Sequence, residues 1–433
     1  MTTGFARTDM LPPQLPPVTE RGVIKWMREN LFSGPFNTAL TLLGLLILFF
    51  LVRGLGPWLM NSVWNANNLQ ECRDIVEANA GPGASGACWA MVRERWNQFM
   101  FGLYPPPLYW RPVLALALLC FAVAPVLFLS LPRKMLWFTL VYPGIAFFLL
   151  WGGPVWTPVL AMAGFVVGWL VFRLVQGAVG VSVGAGIAAL AAVLWWMFVD
   201  NAAGTILSAV APLSLESVGS DEFGGFLLAF VIGVTAISFS LPLGILLALG
   251  RQSDLPIVKT ICVGFIEFIR GVPLITLLFT ASLLLGYFLP PGTNFDIILR
   301  VIILVTFFAA AYLAEVIRGG LAALPRGQYE AADALGLDYW QAQRLVILPQ
   351  ALKISIPSIV STFIGLFKDT TLVSFVGLMD PLRGVTNAVR ADINWKGIYW
   401  EPYIFVGAIF FIVCFSMSRY SMYLERKLKT DHR

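Results

Sequence analysis

Long apolar runs separated by short polar segments dominate this chain of 433 residues. An α-helix needs about twenty predominantly apolar residues to cross the hydrocarbon core of a bilayer. Runs of about that length lie near residues 37–57, 112–131, 135–152, 156–175, 180–199, 224–249, 258–289, 298–318, 352–377 and 402–423. The pattern predicts an all-α polytopic membrane protein with about ten transmembrane helices. Region 135–175 has short segments punctuated by proline and glycine, so about eight helices is the alternative.

Lysine and arginine collect in the loops on one side of the bilayer when the N-terminus is placed inside. The residues on the inner side are Arg133, Lys134, Arg173, Arg251, Arg318, Arg326, Arg344, Arg426, Lys427 and Lys429. Three arginines fall on the outer side instead: Arg300, Arg383 and Arg390. Cytoplasmic loops carry an excess of positive charge. We therefore expect both termini in the cytoplasm and the polar loop at about 58–110 outside.

The two halves of the chain differ in how many polar residues their apolar runs contain. The first half predicts a cytoplasmic tail over residues 1–35 and a transmembrane extension over 36–219 with few charges. The second half predicts a five-helix unit over 220–425, whose runs contain acidic and basic residues, and a cytoplasmic tail over 426–433.

Composition narrows the possible chemistry. Hydrophobic residues make up 58% of the chain and charged residues 12%, about half the charged fraction of a soluble domain. The single histidine is His432, so the membrane part has no His-based relay or catalytic triad. There is no P-loop pattern and no C-x-x-C pair, so neither ATP binding nor a metal site is predicted in this chain. The loop lysines and arginines account for the positive charge, and no nucleic acid is expected.

One polar segment stands out within the second half. Glu330, Ala331 and Ala332 favour a helix, Gly336 breaks it, and a second amphipathic turn runs up to Pro349, where that helix is expected to stop. A short helix, a glycine bend and another short helix form a shape suited to docking on a partner.

The segment resembles the EAA loop of ABC-importer permeases. The consensus of that loop has Glu-Ala-Ala, then three residues, Gly, nine further residues and Ile-x-Leu-Pro. Val346 stands where isoleucine is usual. Residues 224–425 also resemble the permease subunits of polar amino-acid ABC importers, in Glu-Phe-Ile-Arg-Gly-Val-Pro-Leu at 267–274 and Phe-Lys-Asp-Thr-Thr-Leu at 367–372. By length and hydropathy, the extension resembles the longer permease of general L-amino-acid importers.

The resemblance implies a non-enzymatic subunit that translocates L-amino acids across the bacterial inner membrane, with residues 326–349 coupling it to a separate ATPase. The implied partners are an ABC ATPase dimer that binds ATP and Mg²⁺, a second permease subunit (identical or sister), a periplasmic amino-acid-binding protein and membrane lipid. Import of opines or other cationic solutes is an alternative cargo. An ion-coupled secondary transporter is the alternative class, which would leave the EAA spacing unexplained.

Charged residues inside the predicted spans are candidates for the solute path or for locks between helices, because burying charge there is costly. Glu267 and Arg270 are three residues apart, as are Glu315 and Arg318, so each couple shares a helix face and is expected to pair. Prolines 273 and 357 are expected to interrupt spans and free carbonyls for a polar passage.

A zwitterionic amino acid needs partners for its ammonium and its carboxylate. Asp369, mid-span, is predicted to receive the ammonium with the hydroxyls of Thr370 and Thr371, and Arg270 to receive the carboxylate. Lys368 is expected to be a counter-ion to Asp369 or to a neighbouring subunit.

Cys72 and Cys88 lie in the polar loop that the charge pattern places outside, where disulfides persist. A bridge between them would stabilise the loop by about 3 kcal/mol on the chain-entropy model. The alternative is two free thiols that do not meet.

Overall fold

A computed structural model describes residues 22–128, 130–288 and 295–428. Outside these ranges lie residues 1–21 of the predicted N-terminal tail and residue 289, the last of the predicted run 258–289. Residues 429–433, which include His432, also lie outside them. The described helices are α1 (Gly22–Asn30), α2 (Pro35–Met60), α3 (Leu69–Ala80), α4 (Ala90–Glu94), α5 (Trp96–Phe101), α6 (Trp110–Leu127), α7 (Leu136–Trp151), α8 (Trp156–Val179), α9 (Val181–Leu194), α10 (Asp200–Val210), α11 (Gly225–Arg251), α12 (Pro256–Gly271), α13 (Leu274–Phe288), α14 (Ile297–Ala322), α15 (Arg326–Ala334), α16 (Tyr339–Ala342), α17 (Leu348–Asp369), α18 (Pro381–Ala391) and α19 (Trp400–Leu428). Strands β1 (Gly153–Pro154) and β2 (Ser214–Leu215) form one antiparallel pair.

The chain divides into two compact units between Met91 and Val92. In the first unit, no side chain of the apolar helix α2 is buried. Cys72 on α3 and Cys88 are joined in a disulfide with their Cα atoms 6.0 Å apart, as the loop position predicts. The Trp89 ring packs against Trp58 and Trp64, with centroids 6.3 and 5.7 Å away.

In the second unit, residues from before and after the predicted boundary at 219/220 pack into one apolar core. The Tyr104 hydroxyl donates to the Leu150 carbonyl at 2.8 Å, and the Trp151 ring stacks on Phe223 at 4.5 Å. Tyr104, Leu150 and Phe223 belong to the same buried cluster as Leu228 of α11. The part of the predicted extension around Tyr104 and Leu150 therefore shares a core with the second half.

Helix α14 is the centre of the second half. Small residues let its neighbours approach closely: a Cβ added at Gly244 of α11 would lie 2.8 Å from the Leu313 Cβ. A Cβ added at Gly320 of α14 itself would lie 2.6 Å from the Ala351 carbonyl oxygen on α17.

Nine helical stretches in the described ranges are long and apolar enough to span a membrane, and a bent pair would bring the number to ten. The bent pair is α12 with the start of α13, which meet at 101°, so the predicted run 258–289 is a broken helix. The predicted run 180–199 continues instead as far as Val210, through a π-helical turn at Trp195–Val199. Pro357 does not interrupt α17, which continues to Asp369.

Candidate functional site

The segment that joins α14 to α17 has the predicted helix, glycine bend and helix. Helix α15 ends in paired hydrogen bonds, from the Gly336 N–H to the Asp333 carbonyl at 2.9 Å and from the Leu337 N–H to the Ala332 carbonyl at 3.2 Å. These bonds form a Schellman motif, which needs a left-handed residue after the helix. Gly336 supplies it with φ +70°.

The second helix of the segment starts from a capping box. The Asp338 carboxylate accepts from the Gln341 N–H at 2.8 Å, and the Gln341 side chain accepts from the Asp338 N–H at 3.1 Å. Contrary to the prediction, no helix stops at Pro349. A π-helical turn over Gln343–Ile347 leads from α16 into α17, and Pro349 lies in the first turn of α17, where a missing N–H is tolerated.

The surface of this coupling segment (residues 326–349) is both charged and apolar. Glu330 and Ala331 are exposed, whereas Ala332 is buried beneath them and packs inward. Burial raises the pKa of Tyr329 on the same helix. Large apolar side chains at the surface of the segment are those of Leu335, Tyr339, Trp340 and Leu345. Exposed apolar side chains of this kind are typical of surfaces that contact a protein or the membrane.

A cluster of five charged residues joins the ends of α11, α12 and α14. Glu315 lies at its centre: its Oε1 accepts from Arg251 Nη1 at 2.7 Å. Its Oε2 lies 2.9 Å from Arg318 Nη2 and 3.7 Å from Arg270 Nη1. Glu315 and Arg318 thus pair as expected. Glu267 differs from the prediction, because its partner is Arg251 at 2.8 Å rather than Arg270.

Arg270 occupies the last turn of α12, directly before the 101° break. Its guanidinium carbon lies 5.5 Å from the ring centroid of Tyr312 on α14. Arg270 therefore belongs to the charged cluster and stacks on one aromatic ring.

A cavity of about 280 Å³ opens between α14 and α17. This volume lies near the lower end of small-molecule sites. The cavity is lined by Phe308, Ala309, Tyr312, Thr362, Gly365, Leu366 and Asp369. Asp369 is the last residue of α17, where the α-helix gives way to a 3₁₀ helix over Thr370–Val376.

Of the predicted solute-path residues, only Asp369 lines this cavity. The hydroxyl of Thr370 is buried and donates to the Phe367 carbonyl at 2.7 Å. That of Thr371 donates to the Lys368 carbonyl at 2.9 Å. Both hydroxyls thus bond within their own helical turn.

Sequence reasoning missed Arg251, Tyr312 and Thr362. Arg251 is 64 residues from Glu315 in sequence, so no local spacing signals their pairing. Tyr312 lies three residues before Glu315, and Thr362 lies seven residues before Asp369. At these helical spacings each residue shares a helix face with the charged residue that follows it.

Comparison with known proteins identifies the family. Residues 240–430 match the family described as binding-protein-dependent transport system inner membrane component. The chain is 68% identical over 431 residues to the glutamate/glutamine/aspartate/asparagine transport system permease protein BztC of Rhodobacter capsulatus, covering 100% of this chain and 99% of the relative. It is 38% identical to the inner membrane amino-acid ABC transporter permease protein YhdY of Escherichia coli K12, over 97% of this chain and 96% of that protein.

Among solved structures, the crystal structure of an amino acid ABC transporter with histidines is 31% identical, with a TM-score of 0.42, over 47% of this chain and 91% of that one. The two full-length relatives, rather than this partial match, decide the assignment. Together with the apolar spans and the coupling segment, they show that this chain belongs to the inner-membrane permeases of amino-acid ABC transporters.

Proposed function

We propose that the chain is the permease subunit through which an ABC importer takes up glutamate, glutamine, aspartate and asparagine. The observation that carries this proposal is its 68% identity, over its whole length, to a permease whose name gives these four amino acids. The cavity at Asp369 supports it chemically, because a carboxylate beside an aromatic ring suits the ammonium that all four share.

The coupling segment is proposed to dock on a separate ABC ATPase that binds ATP and Mg²⁺. Exposed Glu330 offers hydrogen-bond acceptors, and the exposed Leu335, Tyr339 and Trp340 offer apolar contact area. Since Ala332 is buried, close approach of the ATPase is expected at Ala331 and the patch rather than at both alanines.

The remaining partners follow from the family. A periplasmic binding protein would deliver the amino acid, and a second permease subunit, identical or sister, would complete the membrane part. Both termini are expected in the cytoplasm, with the loop containing the Cys72–Cys88 disulfide in the periplasm. An impermeant maleimide should label a Cys72→Ser variant at Cys88 in intact spheroplasts once the protein is partly unfolded. Labelling restricted to inverted vesicles would contradict this orientation.

Gly336 provides the sharpest test of the coupling role. Gly336→Pro removes the N–H that bonds to Asp333 and forces φ to about −65°, so the Schellman motif cannot form. Gly336→Asn is the matched control, because asparagine tolerates the left-handed conformation. In proteoliposomes that contain the whole transporter, Gly336→Pro should insert normally but lose ATP-driven L-glutamate uptake, while Gly336→Asn retains most of it.

Normal uptake by Gly336→Pro would contradict the coupling role. Uptake by the unaltered transporter that needs no ATP and stops when ion gradients are collapsed would instead support a secondary transporter.

A further inference from the structure

Two segments far apart in sequence meet at one end of the second unit: residues 94–102, here called the α5 segment, and residues 379–395, here called the α18 segment. The Glu94 carboxylate accepts a hydrogen bond from Trp395 Nε1 at 2.9 Å, across 301 residues of chain. The Arg95 guanidinium forms an ion pair with the Asp392 carboxylate. Trp395 is fully buried. The α5 segment thus holds the end of the α18 segment, and both fall on the outer side in the orientation that the loop charges predict.

The beginning of the α18 segment is held through backbone contacts. A Cβ added at Gly224, just before α11, would lie 2.8 Å from the Gly102 Cα and 2.9 Å from the Met379 carbonyl oxygen. Three stretches of backbone therefore meet at Gly224 without room for a side chain. The α5 segment is thus connected to the α18 segment at both of its ends.

The α18 segment is in turn connected to Asp369, which lines the cavity. A 3₁₀ helix over Thr370–Val376 leads from Asp369 toward α18. Arg383 Nη1 on α18 donates to the Ser374 carbonyl of that 3₁₀ helix at 2.8 Å. The buried Asp380 caps α18 by accepting from two backbone N–H groups at 3.0 Å. A shift of α18 would therefore reach the turn that places Asp369 at the cavity.

We propose that Glu94 and Arg95 are positioning residues for transport: the α5 segment braces the α18 segment and so holds Asp369 in place until the binding protein docks. The inference rests on the proposed function, because it needs an importer that responds to a binding protein on its outer face. The family match spans residues 240–430, which include α18 but not the α5 segment. The brace is thus a contribution of the extension, from outside the matched part of the chain.

The ion pair between Arg95 and Asp392 is the part of the brace that is easiest to remove. The two side chains are 33% and 15% exposed, so the pair is partly shielded from solvent. Removing it would bring the state with a displaced α18 closer in free energy to the braced state, and the displaced state would become more populated. ATP hydrolysis would then depend less on the loaded binding protein.

The test measures ATP hydrolysis by the whole transporter in proteoliposomes, with and without the L-glutamate-loaded binding protein. Arg95→Gln should raise the rate without binding protein and lower the ratio of the two rates by about fivefold or more, the lower end of ordinary coupling between sites. Asp392→Asn should do the same, and the double variant should be no worse than either single one, because both break one ion pair. Arg95→Lys, which keeps the cation, should retain most of the ratio. Arg73→Gln, which removes an exposed arginine of the same polar loop, should leave the ratio unchanged.

An unchanged ratio in Arg95→Gln and Asp392→Asn would overturn the proposal, and so would additive effects of the two changes. A parallel fall of both rates would mean that the pair serves folding alone, which also overturns it. So would weaker docking of the binding protein with an unchanged rate in its absence, since Arg95 would then contact that protein directly. If the unaltered transporter shows no ATP-driven uptake of L-glutamate or L-glutamine, the proposed function itself fails, which is a different result.

Discussion

Replacing Glu315 with glutamine should destabilise the protein more than any other single charge removal in its cluster. The change keeps the shape of the side chain and removes its charge. Arg251, Arg270 and Arg318 would then face only Glu267, and three cations close together repel one another. The amide of glutamine also presents donors toward arginines that themselves only donate.

The magnitude follows from how much of the cluster is shielded from solvent. The Glu315 side chain is 15% exposed, and its arginine partners range from 24% to 45% exposed. Breaking a fully buried ion pair costs about 3–5 kcal/mol, whereas an exposed pair contributes about 0–1 kcal/mol. The intermediate exposure places the loss for Glu315→Gln at about 2 kcal/mol.

Glu267→Gln is the matched control, because Glu267 accepts from the same Arg251 but is 54% exposed. Its cost should be about 0.5 kcal/mol or less. Thermal unfolding of the detergent-solubilised chain, followed by tryptophan fluorescence, compares the two variants at low and high salt. Salt should reduce the effect of Glu267→Gln more than that of Glu315→Gln. The reasoning fails if Glu315→Gln lowers the transition temperature no more than Glu267→Gln does.

Two further pairs of variants test the packing of α14 on α17 and a buried hydrogen bond, each with a control variant at a nearby position. Gly320→Ala should cost about 1–3 kcal/mol, because the new methyl group would press against the Ala351 backbone, whereas Gly319→Ala, with open space around it, should gain up to about 1 kcal/mol of helix stability. Equal transition temperatures for these two variants would show that α14 and α17 do not meet at Gly320. Trp395→Phe should cost about 2 kcal/mol, because the buried indole N–H donates to the Glu94 carboxylate at 2.9 Å, and Trp400→Phe, at an exposed position, should change stability by about 0.5 kcal/mol or less. Unfolding of Trp395→Phe at the same temperature as Trp400→Phe would contradict that hydrogen bond.

The spans and the coupling segment could be predicted because their signals are local. Apolar length predicts a membrane helix from one stretch of chain, and nine stretches plus the bent pair agree with about ten. Glu330 and Gly336 lie within a single helix–bend–helix unit, whose hydrogen bonds join residues at most a few positions apart.

The partners of charged residues could not be predicted in the same way. The spacing of three residues identified Glu315 with Arg318, but Glu267 and Arg270 have the same spacing and take partners on other helices. An arginine is long enough to reach a neighbouring helix, so the choice depends on how α11, α12 and α14 pack. Likewise, no signal in the sequence indicated that the hydroxyls of Thr370 and Thr371 donate to carbonyls three residues earlier in their own helical turn.

The connections on either side of the coupling segment show how its movement would reach the cavity. Only residues 323–325 separate α14 from α15, and a helical π turn joins α16 to α17 without a loop. These two membrane helices supply every residue that lines the cavity. A long flexible linker would absorb a displacement of the segment, whereas the three-residue connection before α15 and the continuous helix into α17 would pass it on. On the proposed function, an ATPase that displaced residues 326–349 would act through Ala322 and Leu348 on Tyr312 of α14 and Asp369 of α17. Glu315, one helical turn after Tyr312, and its arginines would hold α14 against α11 and α12 during that displacement.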